Sequence, residues 1–567
     1  MIIGLDVGGT HTDAVLLGDA GILHSVKVTT EPERLFETVI EALEQLMAGR
    51  DKTDVTRIVL STTLATNMVI QKQLPKVGVV VAGGPGLNPE YFRVGDDYHI
   101  VSGALDHSGR EIEHLDEEKL EAIGRELQTK GIGCAAVVSK FSVRNPAHEL
   151  RMAELLSAYV ETLFMGHTLS GALSFPRRIA TTYLNAAVYP IHKTFFEAVT
   201  RSLKVQGLTV PIRILKPDGG TMGIEASLTY PAQTILSGPS ASVMGALASA
   251  ASGKTSLVLD IGGTTTDMAI LLGDSPIIAP HGIEIGQHKT LIRALHTESI
   301  GVGGDSVVRL DDGKISIGPD RQGVAMAFGG PQVTTTDALA VLGLLDDGDE
   351  ALAAAGVGKL ARQLDIDSRE MAEKIFDTAC GLILSAARRM VETVNSRPVY
   401  TVHEMYEGLQ VQPDQVLVLG GPAQPFARRL GLMSSDLQFG EAVPVPNWQV
   451  ANAIGCALAR TTCEVTVYAD TARRVIVAQG EEFEQKLSAR ASLEDVREIA
   501  TKLVRAKAIR RGANPDYLQI EITEESEFAM VRGWHTTGKN IRVRAQVKPG
   551  LIHGYDAETG RHNRPDL

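Results

Sequence analysis

Apolar positions in the first 30 residues come in short bursts, IIGLD at 2–6, AVLL at 14–17 and ILHSVKV at 22–28. Bursts of that length between Gly, Thr and Asp predict strands. Helical spacing takes over at about 33–48, strand RIVLS follows at 57–61, a helix begins near Leu64, and VGVVVA at 77–82 predicts another strand. Residues 96–115 read as a loop and hairpin, with Ser-Gly as a turn signal. Asp116 caps a helix to about 129, CAAVVS is a strand, and Asn145-Pro146 opens the next helix. From 180 to 250 the pattern is mostly helical, with a strand near 212–215. Alternation of this kind indicates an α/β protein.

One phrase occurs twice. MIIGLDVGGTHTDAVLLGD opens the chain, and SLVLDIGGTTTDMAILLGD restarts the pattern near 257, with PIIAP at 276–280 as the third strand. The repeated order of strand, turn, strand, strand and then strand–helix units predicts two similar halves. Residues 350–395 are strongly helical, and QVLVLGGPAQPFARRLG at 415–431 is strand–turn–helix. Past about 464 the character changes to VTVYA, RVIVA, an amphipathic helix at 482–508, then LQIEI, AMVRGW and IRVRAQV. The expected units are 1–175 and 176–463, each carrying one copy, and an α+β module over 464–567.

Glycines at a strand–strand turn let backbone amides approach a ligand with no Cβ in the way. Successive amides aimed into one concavity bind anions, and Thr hydroxyls add donors. GGTHT at 8–12 and GGTTT at 262–266 therefore each suit phosphate oxygens. A carboxylate there is unfavourable by itself, since two like unit charges about 4 Å apart cost about 4 kcal/mol at an effective dielectric near 20. Asp6 and Asp260 at one phosphate tail thus require a divalent cation, and oxygen ligands with a polyphosphate suit Mg2+. A lone GGT turn is most often a tight hairpin and nothing more. Two copies with the same Asp-x-Gly-Gly-Thr-x-Thr-Asp spacing are not explained that way. The phrase is neither a Walker A loop nor a dinucleotide GxGxxG turn. Gly420-Gly421-Pro422 after VLVL offers a third turn for an adenosine portion, and Gly303-Gly304 in the 301–305 loop could close on the nucleotide. NWQVANAIGCALA at 447–459 reads as a packing helix.

A net charge of −13 without a basic run argues against a nucleic-acid partner but leaves a nucleotide open. At roughly 100–200 residues per domain, 567 residues allow about three to five units. No 18-residue apolar stretch or signal-peptide flank occurs, so no membrane association is expected. Cys134, Cys380, Cys456 and Cys463 match no metal-binding spacing and read as reduced structural thiols of a cytoplasmic protein.

Several stretches together resemble the hydantoinase/oxoprolinase family, specifically its A-type (ATP-binding) subunit, within the actin, sugar kinase and Hsp70 ATPase superfamily. They are DVGGTHTD, STTLATN at 61–67, SGREIEHLDEEKL at 108–120, FSVRNPAHELRMAELL at 141–156, TTYLNA at 181–186, TILSGPSASVMGA at 234–246, LDIGGTTTDMAI at 259–270 and TDALAVLG at 336–343. The resemblance runs from residue 1 to about 460. It implies two ribonuclease H-like (actin-like ATPase) halves around an interdomain nucleotide cleft, binding ATP and Mg2+. It also implies phosphorylation of the carbonyl oxygen of a cyclic amide, lactam or ketone, which water or bicarbonate then attacks, often with a separate B-type subunit. By carry-over, Asp6 and Asp260 hold the metal. Gly8, Gly9, Thr10, His11, Thr12, Gly262, Gly263, Thr264 and Thr265 line the phosphates. Asp13 and Asp267 close each motif, as turn caps or as catalytic groups.

The chain departs from the family where the acceptor is expected. GHTLSGALSFPRRIATTYLNA lacks the usual Glu before TTYLNA, and IGPDRQGVAMAFGGPQV replaces a Pro-Gly-Pro-Ala-Cys run. His167 and His192 near the first of these could touch substrate. His403-Glu404 reads as surface, and Arg388-Arg389 as a packed, half-exposed helix face. A small-molecule kinase and a non-catalytic nucleotide-gated module are the competing readings; retention of both Asp6 and Asp260 favours chemistry. A homo-oligomer is left open.

Overall fold

The computed structural model describes the chain except residues 10, 20, 251–252, 280, 346, 397–409, 434–438, 533–534, 553–554, 557–560 and 563–567. The first apolar burst, Ile2–Val7, is buried at every position and sits inside a six-stranded sheet. On one side it pairs antiparallel with His11–Gly18, which pairs antiparallel with Gly21–Thr29. On the other it pairs parallel with Arg57–Thr62, followed by parallel Ile212–Leu215 and antiparallel Thr221–Gly223.

The second copy builds the same arrangement. Ser256–Ile261 pairs antiparallel with Thr266–Leu272 on one side and parallel with Gln415–Leu419, then Glu441–Pro444, on the other. Of the expected third strand, Pro276 joins the ladder together with Ser275, Ile277 adds one backbone bond to Ile270, and Thr297–Ile300 pairs alongside Thr266–Leu272. The two similar halves are those expected from the repeat, and their strand order is the ribonuclease H-like one that the resemblance implies.

Other elements differ from expectation. Asp97–Val101 is not a loop but the parallel edge strand of a sheet ordered Thr162–Met165, Cys134–Ser139, Gly78–Ala82, Asp97–Val101. Only Ala104–Leu105 and Glu111–Glu113 make the hairpin. Helix Phe175–Val205 ties this sheet to the first one, burying Phe175 and Ile179 on the one and Phe196 and Val199 on the other. Ile212–Leu215 joins the first sheet across the boundary expected at 175, and we propose to count it with the first unit.

The C-terminal sheet runs Phe483–Lys486, Val475–Ala478, Glu464–Asp470, His535–Val547, Ile520–Arg532. Its helix begins at Leu493, later than expected, because Ser492 and Asp495 form a capping box there. Within the expected span, Phe483–Lys486 is strand instead, and a turn leads from it to the helix.

Helices Ser237–Leu247 and Ala451–Leu458 cross between the two halves at glycines. A Cβ on Gly455 would lie 2.3 Å from the Ala241 carbonyl oxygen, and one on Gly245 would lie 2.2 Å from that of Ala451. Gly455→Val is therefore expected to destabilise the chain by about 2 kcal/mol or more in urea denaturation. Gly381→Ala, in helix Ser368–Ser396 with nothing within 4 Å of the added methyl, should instead stabilise by about 0.5–1 kcal/mol.

Candidate nucleotide site

The two glycine turns close through the same bond. The Gly8 amide donates to the His11 carbonyl at 3.0 Å, and the Gly262 amide donates to that of Thr265 at 2.9 Å. A Cβ on Gly9 would meet nothing within 4 Å, so that side of the first turn can accept a ligand. Thr265 is exposed and Thr264 half-buried. Thr10 lies outside the described residues.

Three expected phosphate contacts are spent elsewhere. Thr12 is buried, its hydroxyl 3.0 Å from that of Thr30, and its counterpart Thr266 donates to the Val302 carbonyl. The Gly304 amide donates to the Gly262 carbonyl at 2.9 Å, and the Gly303 amide to the Ser306 hydroxyl at 2.9 Å. Gly303 and Gly304 therefore brace the second turn instead of offering free amides. The same loop carries Asp305, whose carboxylate is 3.1 Å from the Arg321 guanidinium. Arg321 and Asp305 both act on the charge of His11 in the first turn, whose pKa burial lowers. The two turns thus lie within electrostatic reach of each other.

Antiparallel register places Asp6 opposite Asp13 and Asp260 opposite Asp267. Burial pushes the Asp6 carboxyl up to about 7; Ser61 and Asn452 oppose the rise, while Asp13 and Asp260 add to it. Its Oδ1 is buried without a hydrogen-bond partner among the described residues. Burial also raises Asp260, against a hydrogen bond from the Ser242 hydroxyl and the influence of Asn452. Asp267 is pushed to about 6 by burial and by Asp260. Burial raises Asp13 as well, against the Lys27 ammonium 2.7 Å away. Two repelling carboxylates, Asp6 buried with an unpartnered oxygen and Asp260 half-buried, fit a hard divalent cation, and they are the residues that could hold it.

Asn452, acting on both carboxylates, was not expected. Its helix does pack as predicted, and the glycine crossing is what brings the amide between the halves. The available signal was one Asn in a run of small apolar residues. The third turn also lies on this centre: Gly420 has φ +95°, and a Cβ there would lie 2.2 Å from the Ile261 carbonyl oxygen and 2.8 Å from Asp260 Oδ1. Gly421 beside it is open.

The remaining candidates fall away from the turns. His167 is buried and locked to Glu149, Nδ1 to Oε2 2.6 Å, in a network with Arg178. His192 is buried 2.8 Å from the Ser227 hydroxyl, and burial lowers its pKa to about 4. Arg388 is exposed and pairs with Glu392. His403 and Glu404 lie outside the described residues.

Comparison with known proteins shows the family of the chain. The chain matches the model described as hydantoinase/oxoprolinase over residues 178–465 and that of the hydantoinase/oxoprolinase N-terminal region over residues 2–160. It is 26% identical over 402 residues to the caprolactamase subunit alpha of Pseudomonas jessenii, covering 65% of this chain and 57% of that protein. It is 28% identical over 397 residues to the acetophenone carboxylase gamma subunit of Aromatoleum aromaticum, covering 61% and 53%. The chain thus spans about half the length of these curated relatives. The solved ATP-dependent caprolactamase from Pseudomonas jessenii shares the fold, with TM-score 0.72 at 19% identity, covering 100% of this chain and 89% of that one.

The raised Asp6 pKa has a signed consequence. Between an ordinary 3.8 and about 7 the folded chain holds a proton that the unfolded chain releases, so stability falls as pH rises through that window. At pH near 8, Asp6→Asn is expected to stabilise the metal-free chain by up to about 4 kcal/mol. It should also remove most of the stabilisation by added Mg2+. Urea denaturation with and without Mg2+ measures both; unchanged stability together with intact Mg2+ stabilisation contradicts the assignment.

Proposed function

The chain belongs to the hydantoinase/oxoprolinase family, and from that premise we propose that it is an ATP-dependent hydrolase of the A type. In this reading it phosphorylates the carbonyl oxygen of a small cyclic amide, lactam or ketone, activating it for hydrolysis or carboxylation. The observation that carries the reading is the pair of carboxylates, one from each half, with Asn452 acting on both. Relatives named as a caprolactamase and an acetophenone carboxylase subunit support the substrate class. Their description as subunits supports a separate B-type partner for the second half of the reaction.

Asp6 and Asp260 would hold Mg2+, which when bound supplies positive charge against the phosphate oxygens. The residues of the chain do the rest by position. The amides following Gly8 and Gly262, with Thr264 and Thr265, would orient the phosphates. Asn452 favours the charged form of both carboxylates against the burial that raises them. Gly421 leaves room on the adenosine side. Asp267, opposite Asp260 and pushed to about 6, is the group best placed to exchange a proton near neutrality. Among the described residues no helix is long and apolar enough to cross a membrane. Four free, buried cysteines suit a reducing compartment, so we place the protein in the cytoplasm.

The test is incubation with Mg-ATP and a panel of lactams, hydantoins and ketones, with and without a candidate B-type partner. Substrate-dependent ADP release coupled to ring opening or carboxylation is expected, and chelation of the metal should abolish it. Accumulation of a stable phosphorylated product instead would show a small-molecule kinase.

A further inference from the structure

A polyphosphate held between the two glycine turns meets more negative charge than one divalent cation cancels, because Asp6, Asp260 and Asp305 already stand at the turns. Few basic side chains can answer it. Lys27 and Arg321 are the cations that act on His11 in the first turn. Lys27 is committed within the protein, 2.7 Å from Asp13 and donating to the Gln449 carbonyl at 3.3 Å. Arg321 is exposed and has Asp305 as its one acidic partner among the described residues.

Three stacked segments fix where Arg321 stands. The 303–305 loop lies on the second turn, its Gly304 and Asp305 amides donating to the Gly262 and Gly263 carbonyls. Asp305 Oδ2 is 2.9 Å from the position a Cβ on Gly263 would take, so the carboxylate rests against the turn itself. The 318–320 segment is bound to that loop in its turn. The Gly318 amide donates to the Val307 carbonyl at 3.0 Å, and the Val307 amide to that of Asp320 at 3.1 Å. A Cβ on Gly318 would run into the Gly301 carbonyl oxygen, and the residue has φ +69°, so glycine is what lets the two segments lie this close.

Arg321 follows directly. Its Nη2 donates to Asp305 Oδ2 at 3.1 Å and its Nε to the Gly323 carbonyl at 3.2 Å. Nη1 has no acceptor among the described residues. With Nε held by its own segment, the Nη1–Nη2 edge is the one available to a ligand, and two parallel N–H groups suit a pair of phosphate oxygens. The guanidinium is thus anchored at the second turn through Asp305 while its charge is felt by His11 in the first. It belongs to IGPDRQGV, in the stretch that stands in place of the Pro-Gly-Pro-Ala-Cys run, and no part of the duplicated phrase supplies it.

We propose that Arg321 is the side chain that binds the terminal phosphate of ATP, exchanging Asp305 for the phosphate oxygens as the nucleotide enters. This rests on the assignment of the glycine turns to a nucleotide. Asp305 then holds the guanidinium at the turns beforehand and repels the phosphate afterwards, so it positions the cation without binding the ligand.

Calorimetric titration of the full chain with Mg-ATP and with Mg-ADP tests it. Arg321→Ala should weaken Mg-ATP about tenfold or more and change Mg-ADP by less than about twofold. Arg321→Gln, which keeps a donor for Asp305, should show the same selective loss. Asp305→Asn should leave Mg-ATP bound as tightly or more tightly, because it frees the guanidinium and removes a like charge. An Arg321 that only braces the loop predicts otherwise, with the Arg321 and Asp305 variants both weakening the two nucleotides alike. Unchanged Mg-ATP affinity in Arg321→Ala, an equal loss for Mg-ATP and Mg-ADP, or a weakened Mg-ATP in Asp305→Asn overturns the role of Arg321 and leaves the nucleotide site standing. Absence of Mg-ATP binding by the unaltered chain overturns both.

Discussion

The structure depends on holding two carboxylates, Asp6 and Asp260, in one buried place although each repels the other. Neither charge is tolerated there for free, and the rest of the centre is arranged around that fact. Each carboxylate ends an apolar strand whose burial fixes its position, and each strand belongs to a different half. The glycine turns that follow keep the space above the carboxylates free of Cβ atoms. Asn452, Ser61 and Ser242 favour the charged forms from the protein side. Helices Ser237–Leu247 and Ala451–Leu458 can cross closely enough to supply these groups only because Gly245 and Gly455 lie at the crossing.

The same constraint explains why the halves are bound into one machine. Burial raises both Asp13 and Asp267, but in the first copy a Lys27 ion pair opposes the rise, whereas in the second Asp260 adds to it. The duplication is therefore structurally close and electrostatically unequal. The 301–305 loop strengthens the inequality by spending its amides on the second turn and setting Asp305 and Arg321 toward the first. A symmetric pair of strands thus yields a centre with distinct sides.

What could be read from the sequence was local. The Asp-x-Gly-Gly-Thr-x-Thr-Asp spacing, the strands around it and the α/β alternation are short-range patterns, and the fold follows them. The groups that tune the centre come from far along the chain. Asn452, Ser61 and Ser242 carry no motif, and only packing reveals their target. Gly303 and Gly304 resemble a phosphate loop in sequence, yet their amides are consumed by Ser306 and Gly262. The strand Asp97–Val101 was missed because a short, partly polar segment becomes a strand only when Gly78–Ala82 pairs with it. In the divergent segment, Glu149 holds the His167 imidazole and also pairs with Arg178, contacts that no local pattern announces.

The central claim is that one nucleotide is held by both halves at once. A double-mutant cycle on Mg-ATP affinity, with Asp6→Ala, Asp260→Ala and the pair, tests it most directly by calorimetric titration. Two carboxylates serving one metal predict that each single change removes most of the binding and that the double change adds little, a coupling of about 1 kcal/mol or more. Additive losses, or full affinity in either single variant, would contradict a shared site.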